Sequence, residues 1–233
     1  MNRVASHCLR ALVMTGLLVR AVSAGDDLLK ATLARMDHAA AGFTGLTAHL
    51  RKVAHTAVIN DDSPDDGTIV LKRPKPHDVR MLFDVKEPEP KTYAIDPRKV
   101  QIYLPRSQTV QEYDLGKYRS MVDQFLLLGF GSTSAEMARD YSISLGGPDT
   151  VGPVKATRLV LVPKSPEMLK YIKQVGLWIS DSTGIPVQQK FDAPGGDYNL
   201  ATYTEIMLNP KLPDSAVTLK LPKGVKREYP QKF

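Results

Sequence analysis

The densest set of side chains able to do chemistry lies between residues 49 and 66. His49 and His55 sit six apart, and "DDSPDDG" places Asp61, Asp62, Asp65 and Asp66 within six positions. Two histidines at that spacing share one face of a strand but are too far apart to hold a metal easily. The acids lack the alternating ligands and distal bidentate Glu of a calcium loop. Both groups therefore read as solvated surface, the acids as a hairpin turn. The chain shows no G-x-S-x-G elbow, H-E-x-x-H pair, Walker loop or G-x-G-x-x-G. With no nucleophile and base in view, the expectation is a protein without catalysis, metal or cofactor.

Arg73 raises a different question. In "GTIVLKRPKPHDVRMLFDV" (67–85), strand alternation puts Ile69, Leu71 and Arg73 on one face. A guanidinium in line with an apolar row needs acceptors if it is covered. Pro74 marks a strand end at a sheet rim. There Arg73 either bonds free carbonyls at the end of a covering helix or points into water. Around it the apolar surplus is large. Ile69, Leu71, Met81, Phe83, Ile102 and Leu104 share one parity of adjoining strands. Met121, Phe125 and Leu128 form a wide helical stripe. Trp178 either lines a cavity or packs against the sheet. Pattern alone does not separate a filled core from an open pocket.

The elements that position these residues follow from periodicity. "DDLLKATLARMDHAAAGF" has Leu28, Leu29, Thr32, Leu33 and Met36 at helical spacing, with Asp26 and Asp27 at its start and Gly42 at its end. Strand segments follow: "GLTAHLRKVAHTAVIN", which alternates only partly, then "TIVLK", "DVRMLFDV", "KTYAID", "KVQIYLP" and "TVQEYDL". "KYRSMVDQFLLLGFGSTSAEMARDY" predicts two short helices jointed at Gly129 and Gly131. Strands resume with "YSISL", "ATRLVLVP", "QVGLWISD", "VQQKFD", "YNLATYTEIML" and "AVTLKLP", with Gly146-Gly147-Pro148 as a turn. The fold class is mainly β with α: a curled antiparallel sheet, an incomplete barrel, with helices over its concave face.

The first 24 residues differ from the rest. Arg3 and Arg10 precede an apolar run from Ala11 to Val19, which closes on Val22-Ser23-Ala24. This predicts a signal peptide over 1–24, cut after Ala24, and one mature domain over 25–233. Its removal takes Arg3, Arg10 and Arg20, so 31 bases against 25 acids become 28 against 25, and net charge falls from +6 to +3. Such a balance gives no reason to expect nucleic acid. Cys8, the one cysteine, leaves with the leader, so the exported chain relies on its core rather than on disulfides. The leader points to the periplasm or the outside.

The ordered set resembles the LolA family of periplasmic outer-membrane lipoprotein carriers. It comprises a leader, an amphipathic helix, Gly67 followed by Lys72-Arg73-Pro74, a strand ending "VRMLF", mid-chain helices, "LWISDSTGIPVQQKF" and a closing "LPKGVKRE". The resemblance covers nearly all of the mature chain. It implies a half-open barrel with helices as a lid over a hydrophobic cavity. It also implies Arg73 as the lid latch, with Ile69, Leu71, Met81, Phe83, Ile102, Leu104, Met121, Phe125, Leu128 and Trp178 as candidate cavity wall or lid. The implied cargo is acylated lipoprotein, taken by a monomer from an inner-membrane ABC transporter and handed to an outer-membrane acceptor. Family members often carry aromatics after Arg-Pro, where this chain reads Lys75, Pro76, His77, Asp78 and Val79. Relatives that carry or sense other lipids supply the alternative, a periplasmic lipid-binding regulatory module.

Overall fold

The computed structural model describes residues 25–75, 78–116 and 119–230; the leader predicted over 1–24 and the side chain of Met121 lie outside the described residues. Helix α1 occupies 25–41 and ends at Gly42, buries Thr32 and Met36 completely, and stops where the first strand begins.

A meander follows: β1 (Gly45–Thr56), β2 (Asp61–Lys75), β3 (Asp78–Glu87), β4 (Lys91–Ile95), β5 (Lys99–Leu104) and β6 (Thr109–Asp114). The helical interlude is α2 (Arg119–Leu127) and α3 (Ser134–Asp140), joined through 128–133 across the two glycines. Then come β7 (Tyr141–Val151), β8 (Val154–Pro163), the short α4 (Pro166–Leu169), β9 (Gln174–Ser180), β10 (Pro186–Asp192), β11 (Tyr198–Leu208) and β12 (Lys226–Glu228). The twelve strands form one open sheet in the order β12-β6-β5-β4-β3-β2-β1-β11-β10-β9-β8-β7. Every pairing is antiparallel except that of β12 with β6. The two halves of the meander meet where β1 pairs with β11. Among the described residues no helix is long and apolar enough to cross a membrane.

Three sequence expectations change. "DDSPDDG" is the start of β2 and not a turn, and the hairpin turn is 57–60. The acids are tolerated in a strand because β1 sets a base beside most of them. His55 Nδ1 lies 2.8 Å from Asp62, His49 Nε2 2.7 Å from Asp66, and Lys52 Nζ 3.7 Å from Asp65. His49 and His55 are thus half-buried, each with a ring nitrogen against one of these carboxylates. Gly146-Gly147-Pro148 lies within β7, where the register shifts between Leu145 and Gly147. "AVTLKLP" is no strand: its start belongs to a single turn at Asp214–Val217 packed on β2 and β3, with Val217 buried. Lys72 Nζ grips the Leu212 carbonyl at 2.8 Å and Asp214 at 2.7 Å, and this steers the chain across to β12.

Gly67 has a structural reason. A Cβ there would lie 2.1 Å from the Asp84 carbonyl oxygen and 2.8 Å from the Val85 Cα, because the β2–β3 register shifts at Asp66–Gly67. Only glycine permits that approach, which curls the sheet at its centre.

The concave face is split into two halves. Over β7–β9, Met36 of α1, Leu128 and Met137 pack on Leu159, Leu161, Val175, Leu177 and Ile179 in a filled core. Over β1–β3, Phe43 and Phe130 close one end of a second cluster with Leu46, Leu71, Val79 and Met81. The open space lies in this second half.

Candidate functional site

β1 presents Leu46, Ala48, Leu50 and then Lys52 to the inside. Its partners continue the rows: Leu46 faces Leu71, Ala48 faces Ile69 and Lys52 faces Asp65 on β2. Leu71 in turn faces Met81, and Ile69 faces Phe83 on β3. Ile95 and Tyr93 of β4 extend the same face. On the other side, β11 adds Tyr203 and Ala201 and β10 adds Gln189 and Phe191. Phe125 and Leu126 of α2, with Phe130, roof this wall and leave a cavity of about 480 Å³. Tyr171 and Ile172, just before β9, edge its mouth.

Arg73 sits at the closed end, half-buried. Its backbone N–H donates to the Thr44 carbonyl at 2.8 Å, and its Nη1 donates to the Gly131 carbonyl at 2.9 Å, just past the C-terminal end of α2. The Gly131 carbonyl lies in the turn that follows α2, and a guanidinium suits such an acceptor. Gly131 is required by closeness, since a Cβ would lie 2.8 Å from Arg73 Nη1 and 2.9 Å from Phe43.

Three further ties hold the lid, none of them apparent in the sequence. At the front of α2, Arg119 donates from Nη1 to the Asp96 carbonyl at 2.7 Å and from Nη2 to the Val79 carbonyl at 3.1 Å. In the interior, Gln189 Nε2 donates to the Leu128 carbonyl at 2.6 Å and Tyr203 Oη donates to Gln189 Oε1 at 2.8 Å. Burial pushes the Tyr203 hydroxyl well above the ordinary range, so it stays a donor. Past the joint, the backbone N–H and hydroxyl of Ser134 both reach the Asp37 carboxylate of α1. The lid is thus tied at its front, middle and rear.

The residues expected at the site divide. Ile69, Leu71, Met81, Phe83 and Phe125 line the cavity, and Arg73 reaches the lid carbonyl. Ile102 faces Tyr93 one strand further out, beyond the stacked Phe83 and Tyr93 rings, and Val100 is the β5 residue at the cavity. Leu104 is placed still further along β5 and does not line it. Leu128 points into the filled half of the interior. Trp178 does not line the cavity; it packs against the sheet, the other of its two readings. Its neighbour Leu177 faces inward, so the indole lies on the convex face, in a small cluster with Ala156 and Val187. There it donates to Asp149 at 2.7 Å and sits under Arg158, its ring centroid 5.0 Å from the guanidinium carbon. Alternation alone could have separated Leu177 from Trp178. No local signal marks Gln189 or Arg119, whose partners are backbone carbonyls remote in sequence.

No family model matches the chain, and no curated protein is significantly similar to it. Solved structures do align with it. An uncharacterized conserved protein from Thermus thermophilus is 13% identical, with 86% of this chain and 98% of that chain covered, at a TM-score of 0.52. MucB aligns at 13% identity over 81% of this chain and 62% of its own, with a TM-score of 0.49. A LolA superfamily protein from Nitrosomonas europaea aligns at 13% identity over 82% and 97%, with a TM-score of 0.39. The likeness is one of fold. The open antiparallel barrel with helices over its concave face is the architecture expected from the sequence.

Proposed function

We propose that this chain is a periplasmic carrier that holds acyl chains of a lipoprotein or lipid in the apolar cavity and moves them between membranes. One observation carries the reading: an apolar cavity lies under a lid whose rear carbonyl, that of Gly131, is held by Arg73. The resemblance to the LolA family supports acylated lipoprotein as cargo, with an inner-membrane ABC transporter as donor and an outer-membrane acceptor as destination. A cavity of about 150 Å³ accommodates benzene, roughly 25 Å³ per carbon, so 480 Å³ accommodates about 19 carbons. The closed form therefore suits about one acyl chain, and a cargo with more chains needs the lid to lift. Each buried methylene contributes about 0.8 kcal/mol, so a cavity that encloses about one chain holds its load less tightly than one enclosing several.

The test uses the exported chain purified from periplasm without detergent, beside its Arg73→Leu form. Solvent extraction and mass spectrometry identify what is bound. The expected result is acylated protein or lipid enriched on the variant. A free lipid bound equally by both forms, with no transfer between membranes, would move the reading to a lipid-responsive regulatory module. Two empty preparations would remove the carrier reading.

A further inference from the structure

The cavity changes character along its length. From Leu46 to Lys52 on β1 is six residues, about 20 Å at the rise of a strand. Over that distance the inner face passes from apolar side chains near Arg73 to charged ones at the mouth. At the mouth Asp65 is buried and attended by two lysines. Lys91 Nζ lies 2.7 Å from Asp65 Oδ1 and satisfies it; Lys52 Nζ stays 3.7 Å from Oδ2, beyond hydrogen-bond distance. The ring centroid of Tyr93, between them, is 5.9 Å from each ammonium.

The other charges at the mouth are engaged. Asp197 accepts the Ala57 N–H at 2.8 Å. Lys190 pairs with Asp192 at 2.8 Å and lies over the Tyr198 ring. Lys52 lines the cavity about one-third exposed to solvent, paired with Asp65 at 3.7 Å but engaged in no hydrogen bond, so its N–H donors can turn to a ligand. An ammonium so placed, at the end of an apolar slot, favours an anion at that point.

We infer that the cavity takes an amphiphile tail-first, its chain toward Phe130 and its anionic head group on Lys52. This rests on the reading of the cavity as an acyl-chain site and names the chemistry of the head. The head is a carboxylate or a phosphate, and the acyl chain inserts past Leu50 and Ile69 toward the lid.

The experiment compares three ligands of one chain length on the exported chain by isothermal titration below their micelle-forming concentrations: palmitate, hexadecanol and monopalmitoyl phosphatidylglycerol. Lys52→Met keeps the apolar stem and removes the charge; Lys52→Arg restores a cation. The expected result is about tenfold tighter binding of one or both anions than of hexadecanol, as one charged hydrogen bond provides. Lys52→Met abolishes that preference while hexadecanol still binds, and Lys52→Arg recovers it. The anion bound more tightly tells carboxylate from phosphate. Equal binding of all three ligands, or a preference that survives Lys52→Met, overturns the head-group assignment and leaves the cavity reading standing. If hexadecanol and both anions all fail to bind, the cavity reading fails and this inference with it.

Discussion

Arg73 Nη1 lies 2.9 Å from the carbonyl oxygen of Gly131, so the strand that ends the apolar row of β2 also fastens the rear of the lid. The contact works because three things coincide. Near its end β2 shifts register between Lys72 and Lys75, around Arg73 and Pro74, although the strand runs on to Lys75; the turn after α2 lies above it, and residue 131 carries no side chain. Together with Arg119 at the front of α2 it spans the lid from end to end.

The closeness of Gly131 to Arg73 leads to a first expectation. Gly131→Ala places a methyl 2.8 Å from Nη1 and 2.9 Å from the buried Phe43 ring. The guanidinium can swing aside; the ring, packed near Phe130, cannot do so freely. The variant should lose the latch without losing the arginine, at a cost of about 1–3 kcal/mol for overpacking. Amide exchange across 125–133 should then accelerate as in Arg73→Leu. Exchange unchanged from the native chain would mean that this contact does not hold the lid.

Gln189→Leu should be costly although it makes the wall more apolar. It strips the Leu128 carbonyl of its donor and the Tyr203 hydroxyl of its acceptor, both in the interior. Each orphaned group costs about 1–3 kcal/mol, and for a domain of this size each kcal/mol lowers Tm by about 2–4 °C. Adding Tyr203→Phe should recover part of the loss, because no hydroxyl is then left unpaired. Calorimetry on the single and double variants checks both statements, and purely additive losses would contradict them.

Acid should loosen the third helix first. Thr133 and Glu136 form a reciprocal cap, and the Thr133 backbone N–H, 2.8 Å from the carboxylate, holds Glu136 below its ordinary 4.5. A carboxyl depressed on folding adds stability that is fully present above the unfolded value. That stability is lost as pH falls from about 4.5 toward the folded value. Exchange over 134–140 should therefore rise more steeply below that pH than exchange over β8 and β9. Glu136→Gln should flatten this extra pH dependence; a variant that keeps it would assign the effect to another group.

Gly67→Ala should be among the most damaging strand changes in the chain. Its Cβ would fall 2.1 Å from the Asp84 carbonyl oxygen, which is backbone and cannot rotate away. The register shift between β2 and β3 must then move, at a cost above the usual range of about 0.5–3 kcal/mol for a point change. Gly42→Ala, with nothing within 4 Å of the added methyl, serves as the comparison. Urea midpoints of the two variants should differ clearly.

Much of the architecture was legible because its signals are local. The face of "DVRMLFDV" is written in every second residue, and Val79, Met81, Phe83 and Val85 are all buried. The glycine joint shows as a break in a helical stripe, and the rim arginine as a charge before a proline. "DDSPDDG" misled because turn propensity competes with cross-strand pairing, and its pairing partners lie roughly ten residues away on β1. "AVTLKLP" misled because a segment alternating like a strand was drawn off to cross the barrel by Lys72.

From sequence alone came most of the strands, the helices α1 to α3, the inward parity of β2 and β3, and the arginine that had to find acceptors. Whether the concave face is filled or open could not be read there, and the folded chain holds both answers. Met36 and Leu128 fill the side over β7–β9, while α2 stands off β1–β4 and leaves the cavity. The reason is physical. Alternation and periodicity depend on neighbours a few bonds away, but a void depends on how far a helix is held from a sheet. That distance is set by Arg73, Arg119 and Gln189 bonding to carbonyls tens of residues distant, and only the tertiary structure brings them together.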